Sequence, residues 1–185
     1  MKQYLNRRIA RFLVVLLVGY GAWFVAYELI IKPDGRLDEM AALSVAATAG
    51  AALQGFGLNA VTNDRNVRMV DYLGVTVVDG CNGLAALGLF AGFVLAYPGT
   101  WRRRLWFIPF GLLVVFLANV IRVGSLAYFQ QAWPAAFDLI HNVGVSTFFY
   151  LVVFGLWIGW ANFGGSDEGL VLPTEVLPTE KVPAS

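Results

Sequence analysis

The stretch LWFIPFGLLVVFLANVIRVGSLAYF, residues 105–129, is a long apolar run in which Arg122 is the one charged residue. A helix that crosses a membrane needs about 20 consecutive, mostly apolar residues. This run exceeds that length. It therefore predicts a transmembrane helix with a charged side chain inside it.

The composition of the whole chain supports the same conclusion. Of its 185 residues, 58% are hydrophobic and 14% are charged, whereas soluble domains are about 45–50% apolar and about 25% charged. The net charge of +1 and the short Lys/Arg clusters argue against a nucleic-acid partner. A single cysteine excludes an intrachain disulfide framework and any zinc site built on several cysteines. We therefore expect a polytopic membrane protein whose surroundings are the lipid bilayer.

Three further apolar runs predict spans on either side of residues 105–129, at 11–31, 83–97 and 140–161. Residues 40–60 have a helical pattern but are rich in Ala and Gly, so they are a weak span at most. The predicted fold is an all-α bundle of about four to five transmembrane helices.

Other segments are predicted to lie outside this bundle. Residues 62–79 are polar, with β-branched alternation and a break at Gly74, which predicts a short hairpin or an extended polar cap outside the bilayer. The Asp34–Gly35 pair predicts a turn after the first span. Residues 1–163 form the predicted membrane domain, and the Pro-, Glu- and Thr-rich tail, 164–185, is expected to be disordered.

The distribution of basic residues predicts the orientation of the chain, because cytoplasmic loops carry an excess of Lys and Arg. Basic residues cluster before the first span and before residues 105–129; they are Lys2, Arg7, Arg8, Arg11, Arg102, Arg103 and Arg104. We therefore place both segments on the cytoplasmic side of a cytoplasmic (inner) membrane. The helix ends that carry Cys81, Arg122 and His141 then reach the outer face together, and the polar cap is extracytoplasmic.

This orientation requires that residues 40–60 do not cross the membrane completely. If they did, residues 62–80 would be cytoplasmic and Cys81 would lie on the wrong face. We expect 40–60 to lie in the outer interface or to re-enter the bilayer, consistent with their low hydrophobicity. The alternative is a true span here, with one more crossing elsewhere in the chain.

Cys81, the only cysteine, lies in the polar sequence VVDGCNGLAAL, residues 77–87, at the start of a predicted helix. The dipole of a helix N-terminus favours an anion, and the thiolate is the reactive form of cysteine. Gly80 and Gly83 leave room for another backbone to approach, whereas the carboxylate of Asp79 opposes a thiolate. Cys81 is therefore either a nucleophile or a small packing residue in a glycine-lined helix start.

Arg122 and His141 are the other candidates for chemistry. An arginine inside an apolar span is costly and usually faces the bundle interior at a functional site, and Asn119 lies one turn earlier on the same face. His141 is the only histidine, and histidine is the usual general base near neutral pH. The alternatives are an arginine that snorkels to the interface and a histidine that anchors its helix there. Glu28, a further intramembrane acid, could support the site or pair with Arg36 or Arg122.

With these residues identified, three stretches resemble the exosortase/archaeosortase family of membrane transpeptidases. They are CNGLAALGLFAGFVLAYPG, WRRRLWFIPFGLLVVFLANVIRV and FDLIHNVGVSTFFYLVVFGLWIGW. The stretch YELIIKPDGRLD also resembles a short bacterial form, exosortase X. The resemblance covers residues 20–161 and combines a cysteine before Asn-Gly, an Asn-x-x-Arg in a helix and a histidine that opens the last helix.

The resemblance implies roles for these residues. Cys81 would be the nucleophile, Arg122 would stabilise the oxyanion or the substrate carbonyl, and His141 would be the general acid and base. Asn119 would orient Arg122, and Asn82, which follows the cysteine in the matched motif, would support the site. No metal and no organic cofactor are implied.

The resemblance also implies a substrate class. Members of the family are proposed to cleave a C-terminal sorting signal from exported, membrane-anchored proteins. That signal has a short motif, a transmembrane helix and a basic end. The reaction would be acyl transfer through a thioester at Cys81, which an amine or water resolves. The chain would then be a cysteine-type peptidase or transpeptidase.

Three other classes of protein remain as alternatives. A non-catalytic assembly factor for surface polysaccharide or protein export would not need the thiol. A small transporter or channel subunit would line a path with Arg122 and Glu28, but the apolar middles of 83–97 and 140–161 argue against such a path. A rhomboid-like protease would need a serine–histidine helix pair in a glycine context, and the sequence contains none.

Overall fold

The computed structural model describes the backbone of residues 2–164 and the side chains of residue 10 and residues 12–164. Helices make up most of this range. They are α1 (Lys2–Ala26), α2 (Lys32–Asp34), α3 (Arg36–Gly55), α4 (Leu84–Ala96), α5 (Trp101–Ala132), α6 (Phe137–Leu139) and α7 (Val145–Phe163). The predicted tail, 164–185, lies outside the described residues except for Gly164.

Two π-turns interrupt the long helices. One, Tyr27–Ile31, joins α1 to α2, and the other, Ile140–Gly144, joins α6 to α7. A single turn of π-helix inside an α-helix is rare and occurs frequently at functional sites. The predicted turn at Asp34–Gly35 is shorter than expected, because the helix continues to Asp34 and only Gly35, at φ 68°, turns the chain.

The described residues contain three helices that are long and apolar enough to cross a membrane: Phe12–Asp34, Trp101–Ala132 and Pro134–Phe163. The helix α4 is equally apolar but has only 13 residues, about 20 Å at 1.5 Å per residue. A hydrocarbon core is about 30 Å thick. These four helices correspond to the four apolar runs in the sequence, and the predicted class, an all-α membrane helix bundle, is confirmed.

The bundle packs closely because glycines face aromatic rings. A Cβ at Gly88 of α4 would overlap the ring of Trp23 on α1, and a Cβ at Gly111 of α5 would overlap Phe90 on α4. Helix axes approach closely where one helix lacks a side chain. The buried core of the bundle consists of Phe90, Val94, Val115, Ala118, Phe149, Val153 and Trp160.

A second core lies at the C-terminal end of α5 and forms the cap, which comprises α3 and a three-stranded antiparallel sheet. The strands are β1 (Ala60–Asn63), β2 (Asn66–Met69) and β3 (Val75–Thr76), in the order β1-β2-β3. The side-chain amide of Gln130, near the end of α5, bonds both the N–H and the carbonyl of Gly74. The predicted hairpin is therefore present, with a third strand that the sequence did not distinguish.

The helix α3 belongs to this cap. Its buried apolar residues pack with strand residues and with the C-terminal half of α5; they are Ala42, Val45, Ala46, Ala49 and Leu53 on α3, facing Val120, Val123 and Ala127 on α5. It is not among the helices apolar enough to cross a membrane. The helix begins earlier than the predicted segment 40–60, at Arg36, and ends at Gly55. That this segment does not cross the membrane completely stays a prediction.

Candidate active site

Cys81 lies in a turn just before α4. Its N–H donates to the carbonyl of Val78 at 2.8 Å, and the helix begins at Leu84, after Gly83 at φ 85°. A positive φ of this size favours glycine. The sequence had suggested that Cys81 opens the helix. In the structure it precedes the first helical residue by three positions. Its side chain is half-buried and its thiol is free.

Arg122 of α5 contacts this thiol. Its Nη2 atom lies 3.7 Å from Cys81 Sγ, and its guanidinium lies over the ring of Phe149 at 5.7 Å from the centroid. The buried Nε of Arg122 has no hydrogen-bond partner among the described residues. Arg122 therefore places a cation beside the sulfur of Cys81.

Asn119 holds the backbone of the cysteine. Its Nδ2 donates to the carbonyl of Cys81 at 3.0 Å, and its side chain is 1% exposed. A Cβ at Gly83 would come within 3.1 Å of this amide, so glycine is needed for the approach as well as for the φ angle. The sequence had assigned Asn119 to the orientation of Arg122. In the structure its hydrogen bond goes to Cys81.

Asn82 is held in turn by a buried acid. Its Nδ2 donates to Oδ1 of Asp38 on α3, and its own Oδ1 accepts from the N–H of Leu84 at 2.9 Å. The hydroxyl of Tyr27, in the first π-turn, donates to the same Asp38 oxygen at 3.0 Å. Asp38 is 1% exposed. The first π-turn, α3 and the turn before α4 therefore meet at the carboxylate of Asp38, and Asn82 is the residue next to the cysteine.

The two other acids near the site are paired with cations. Asp79, which was expected to oppose a thiolate, is bonded to Arg65 in the β1–β2 turn at 2.5 Å. Glu28 is bonded to Lys32, one turn away, at 2.8 Å. The suggested pairing of Glu28 with Arg36 or Arg122 is therefore wrong, because a cation on its own helix is nearer.

His141 lies in the second π-turn and is half-buried. Its ring stacks on Phe137, with centroids 5.8 Å apart, and Ser146 Oγ donates to its carbonyl at 3.0 Å. Within residues 2–164, it forms no hydrogen bond with Cys81 or Arg122. It does lie two turns before Phe149, whose ring lies under Arg122. The structure thus brings two of the three predicted catalytic side chains into contact and leaves the third, His141, in the π-turn before α7.

A cavity of about 340 Å³ opens beside these residues, a size typical of ligand sites. Four helices line it: α1 contributes an aromatic wall, α4 its first turn, α5 Arg122, and α7 Phe149. The aromatic wall consists of Tyr20, Trp23, Phe24 and Tyr27. Glu28 also lines the cavity, which therefore has aromatic rings and one acid on the side of α1 and the first π-turn, and the cation Arg122 on the side of α5.

A comparison with protein-family models identifies relatives of the chain. Residues 5–158 match the model described as transmembrane exosortase (Exosortase_EpsH). The chain belongs to the exosortase family. No curated protein and no solved structure matches this exosortase. The matched range includes Cys81, Arg122 and His141, and it does not separate the short X form from other members, so that subtype stays a prediction.

Sequence reasoning about this exosortase missed Asp38 and Tyr27. The signal was present, because the quoted stretch YELIIKPDGRLD begins at Tyr27 and ends at Asp38. Neither residue had been given a role, because an acid in the first turn of a helix and a tyrosine near the end of a membrane span are both common. Only their shared contact with Asn82 reveals that both belong to the site.

Proposed function

We propose that this chain is a membrane cysteine transpeptidase or peptidase. Its substrates would be exported, membrane-anchored proteins, from which it cleaves a C-terminal sorting signal at the outer face of the cytoplasmic membrane. The observation that carries the proposal is the 3.7 Å contact between Arg122 and the thiol of Cys81, beside the cavity between the helices. Membership of the exosortase family supports the same chemistry.

The shape of the cavity supports a substrate that is itself a membrane helix. Aromatic side chains of α1 and of the first π-turn line it, and Arg122 lines the same cavity. Because α4 is only about 20 Å long, Cys81 would lie inside the outer leaflet of an approximately 30 Å hydrocarbon core. A peptide bond just outside the transmembrane helix of a sorting signal would reach the thiol at this depth.

The reaction would begin with transfer of the thiol proton to His141 and attack of the thiolate on the peptide carbonyl carbon. Arg122 would neutralise the negative oxygen that forms. The N–H groups of Ala85 and Ala86, in the first turn of α4, have no intrahelical partner and these residues line the same cavity. These two N–H groups would donate to the negative oxygen together with the guanidinium of Arg122.

The tetrahedral intermediate would then break its C–N bond. The leaving amine would take the proton from His141, and the acyl group would remain on Cys81 as a thioester. An amine or water would attack that thioester and release the thiol. His141 has to approach the substrate for this step, and catalytic hydrogen bonds commonly tighten only in the complex.

The test uses a tagged host protein that ends in a motif, a helix and a basic cluster, expressed together with the full chain. Cys81→Ala should abolish processing, and mass spectrometry should find an acyl adduct on Cys81 of the unsubstituted chain. Cys81→Ser, with a similar volume, is the matched control for packing. Processing that survives Cys81→Ala would overturn the proposal in favour of a non-catalytic assembly factor.

A further inference from the structure

A second and larger cavity lies at the other end of the bundle, between the start of α5 and the end of α7. Its volume is about 560 Å³ and its walls include Arg102, Arg103, Trp106, Phe110 and Phe163. Trp106 and Arg122 are 16 positions apart on α5, about 24 Å at 1.5 Å per residue. The cavity is therefore separate from the candidate active site.

The walls of this cavity combine cations with aromatic rings, and none of the described residues that line it is an acid. Trp106 is 82% exposed and Phe163 is 77% exposed, so both rings face outward beside the groove. Arg103 bridges the two helices by donating to the carbonyl of Phe163 at 2.7 Å. Arg102 forms no hydrogen bond or ion pair with any residue in the described part of the chain. Arg102 therefore places a positive charge at the edge of an apolar groove. Such a groove suits a ligand that has an anionic group and an apolar body.

We propose that this groove binds an anionic phospholipid. The phosphate would lie against Arg102, and the acyl chains would lie along Trp106 and Phe110. Basic pockets between helices on the cytoplasmic side bind anionic headgroups, and tryptophan is enriched at headgroup level. The assignment to the cytoplasmic leaflet rests on the orientation in the proposed function, but binding itself does not depend on Cys81.

Charge excludes the proposed substrate from this groove, because the basic end of a sorting signal would be repelled by Arg102 and Arg103. The chain's own segment 165–185 is the competing occupant. It contains Asp167 and Glu168 and follows Gly164, which lines the groove. The phospholipid is favoured because the groove also offers an apolar, outward-facing wall, which acidic side chains do not need.

The experiment is native mass spectrometry of the full chain, purified in a non-ionic detergent and titrated with phosphatidylglycerol or with phosphatidylcholine of the same acyl chains. The full chain should retain phosphatidylglycerol preferentially. Arg102→Gln should weaken that binding about fivefold, as expected for the loss of one cation near an anionic lipid, and leave phosphatidylcholine unchanged. Arg68→Gln, which removes an exposed cation from the cap, is the matched control.

Equal retention of the two lipids, or no effect of Arg102→Gln, would overturn the proposal. A chain shortened after Gly164 tests the competing occupant. If phosphatidylglycerol binds only to the shortened chain, the tail occupies the groove and the proposal is wrong. Because the readout is lipid retention, failure here would leave the role of Cys81 untouched, and loss of processing would leave the lipid site untouched.

Discussion

A guanidinium in contact with the only thiol of the chain is the central feature of the candidate active site. Arg122 reaches Cys81 from another helix, and Phe149 supports the guanidinium from below. Asp79 is bound to Arg65, so the acid next to this thiol is already neutralised by a partner. The reactivity of Cys81 should therefore depend on Arg122 more than on any other charge.

Arg122→Gln should slow the alkylation of Cys81 by iodoacetamide at pH 7 about threefold to tenfold, because the thiolate loses its neighbouring cation. The rate is measured by mass spectrometry, and every adduct reports Cys81 because the chain has one cysteine. Iodoacetamide is neutral, so the variant does not change its attraction to the site. Arg68→Gln is the control, and equal rates in the two variants would contradict the prediction.

Asp38 should contribute more to stability than any exposed acid nearby. Asp38→Ala leaves the amide of Asn82 and the hydroxyl of Tyr27 without their acceptor, which should cost about 2–4 kcal/mol of unfolding free energy. Tyr27→Phe removes one of these bonds and should cost about 1 kcal/mol. Thermal unfolding in detergent measures both. Glu39→Ala, at the exposed next residue, is the control, and a loss as small as that of Glu39→Ala would refute the network.

At the scale of elements, the short helix α4 packs closely against α1 and α5. This packing fixes the turn that holds Cys81. Gly88 lies against Trp23 of α1, and Phe90 fills the space that Gly111 leaves on α5. The opposite end of α4 is tied by Arg104, which donates to the carbonyl of Tyr97 at 3.1 Å. The position of the thiol therefore depends on the packing of α4 between α1 and α5.

Two glycines of α4 should respond in opposite directions to the same substitution. Gly88→Ala should lower the unfolding free energy by about 1–3 kcal/mol, since the added methyl group overlaps the Trp23 ring and forces a shift. Gly92→Ala meets nothing within 4 Å and should raise it by about 0.5–1 kcal/mol through helix propensity. Thermal unfolding of the pair decides the point. Equal destabilisation would mean that the α1–α4 contact is not tight.

At the scale of the whole molecule, α5 carries two cores and the candidate site lies where they meet. It has 32 residues, about 48 Å, and is longer than the hydrocarbon core. Ala118 belongs to the bundle core and Val120 to the cap core. Asn119 lies between them and Arg122 one turn further, so the site lies at the junction of membrane bundle and cap.

The cap should lie entirely on one side of the membrane. Thr62→Cys in a Cys81→Ala background should react with an impermeant thiol reagent added to the outside of intact cells, whereas Trp101→Cys should react only after permeabilisation. The reason is that α3 packs with the strands of the cap and with the C-terminal half of α5, the half that we place at the outer face. If Thr62→Cys reacted only from the cytoplasmic side, α3 would be a true span and the site would face the cytoplasm.

Sequence reasoning was most reliable where a single physical requirement acts along the chain. The apolar runs had to match the thickness of a bilayer, and each corresponds to a helix. Asn119 and Arg122 had to share a helix face because they are three residues apart. The pairing of Glu28 failed for a related reason: Lys32, four residues away, was a nearer partner than the distant arginines that were considered.

The sequence by itself therefore determined the membrane bundle and the polar cap, and it supplied the candidate side chains for chemistry, since hydropathy and helical spacing are local properties. Only the tertiary structure decided which of these side chains meet. Asp38 and Asn82 are 44 residues apart in the chain, and Cys81 and Arg122 are 41 apart. Such contacts depend on how glycine-lined helices pack, and the π-turn at His141 sets that side chain apart. No local pattern encodes those distances.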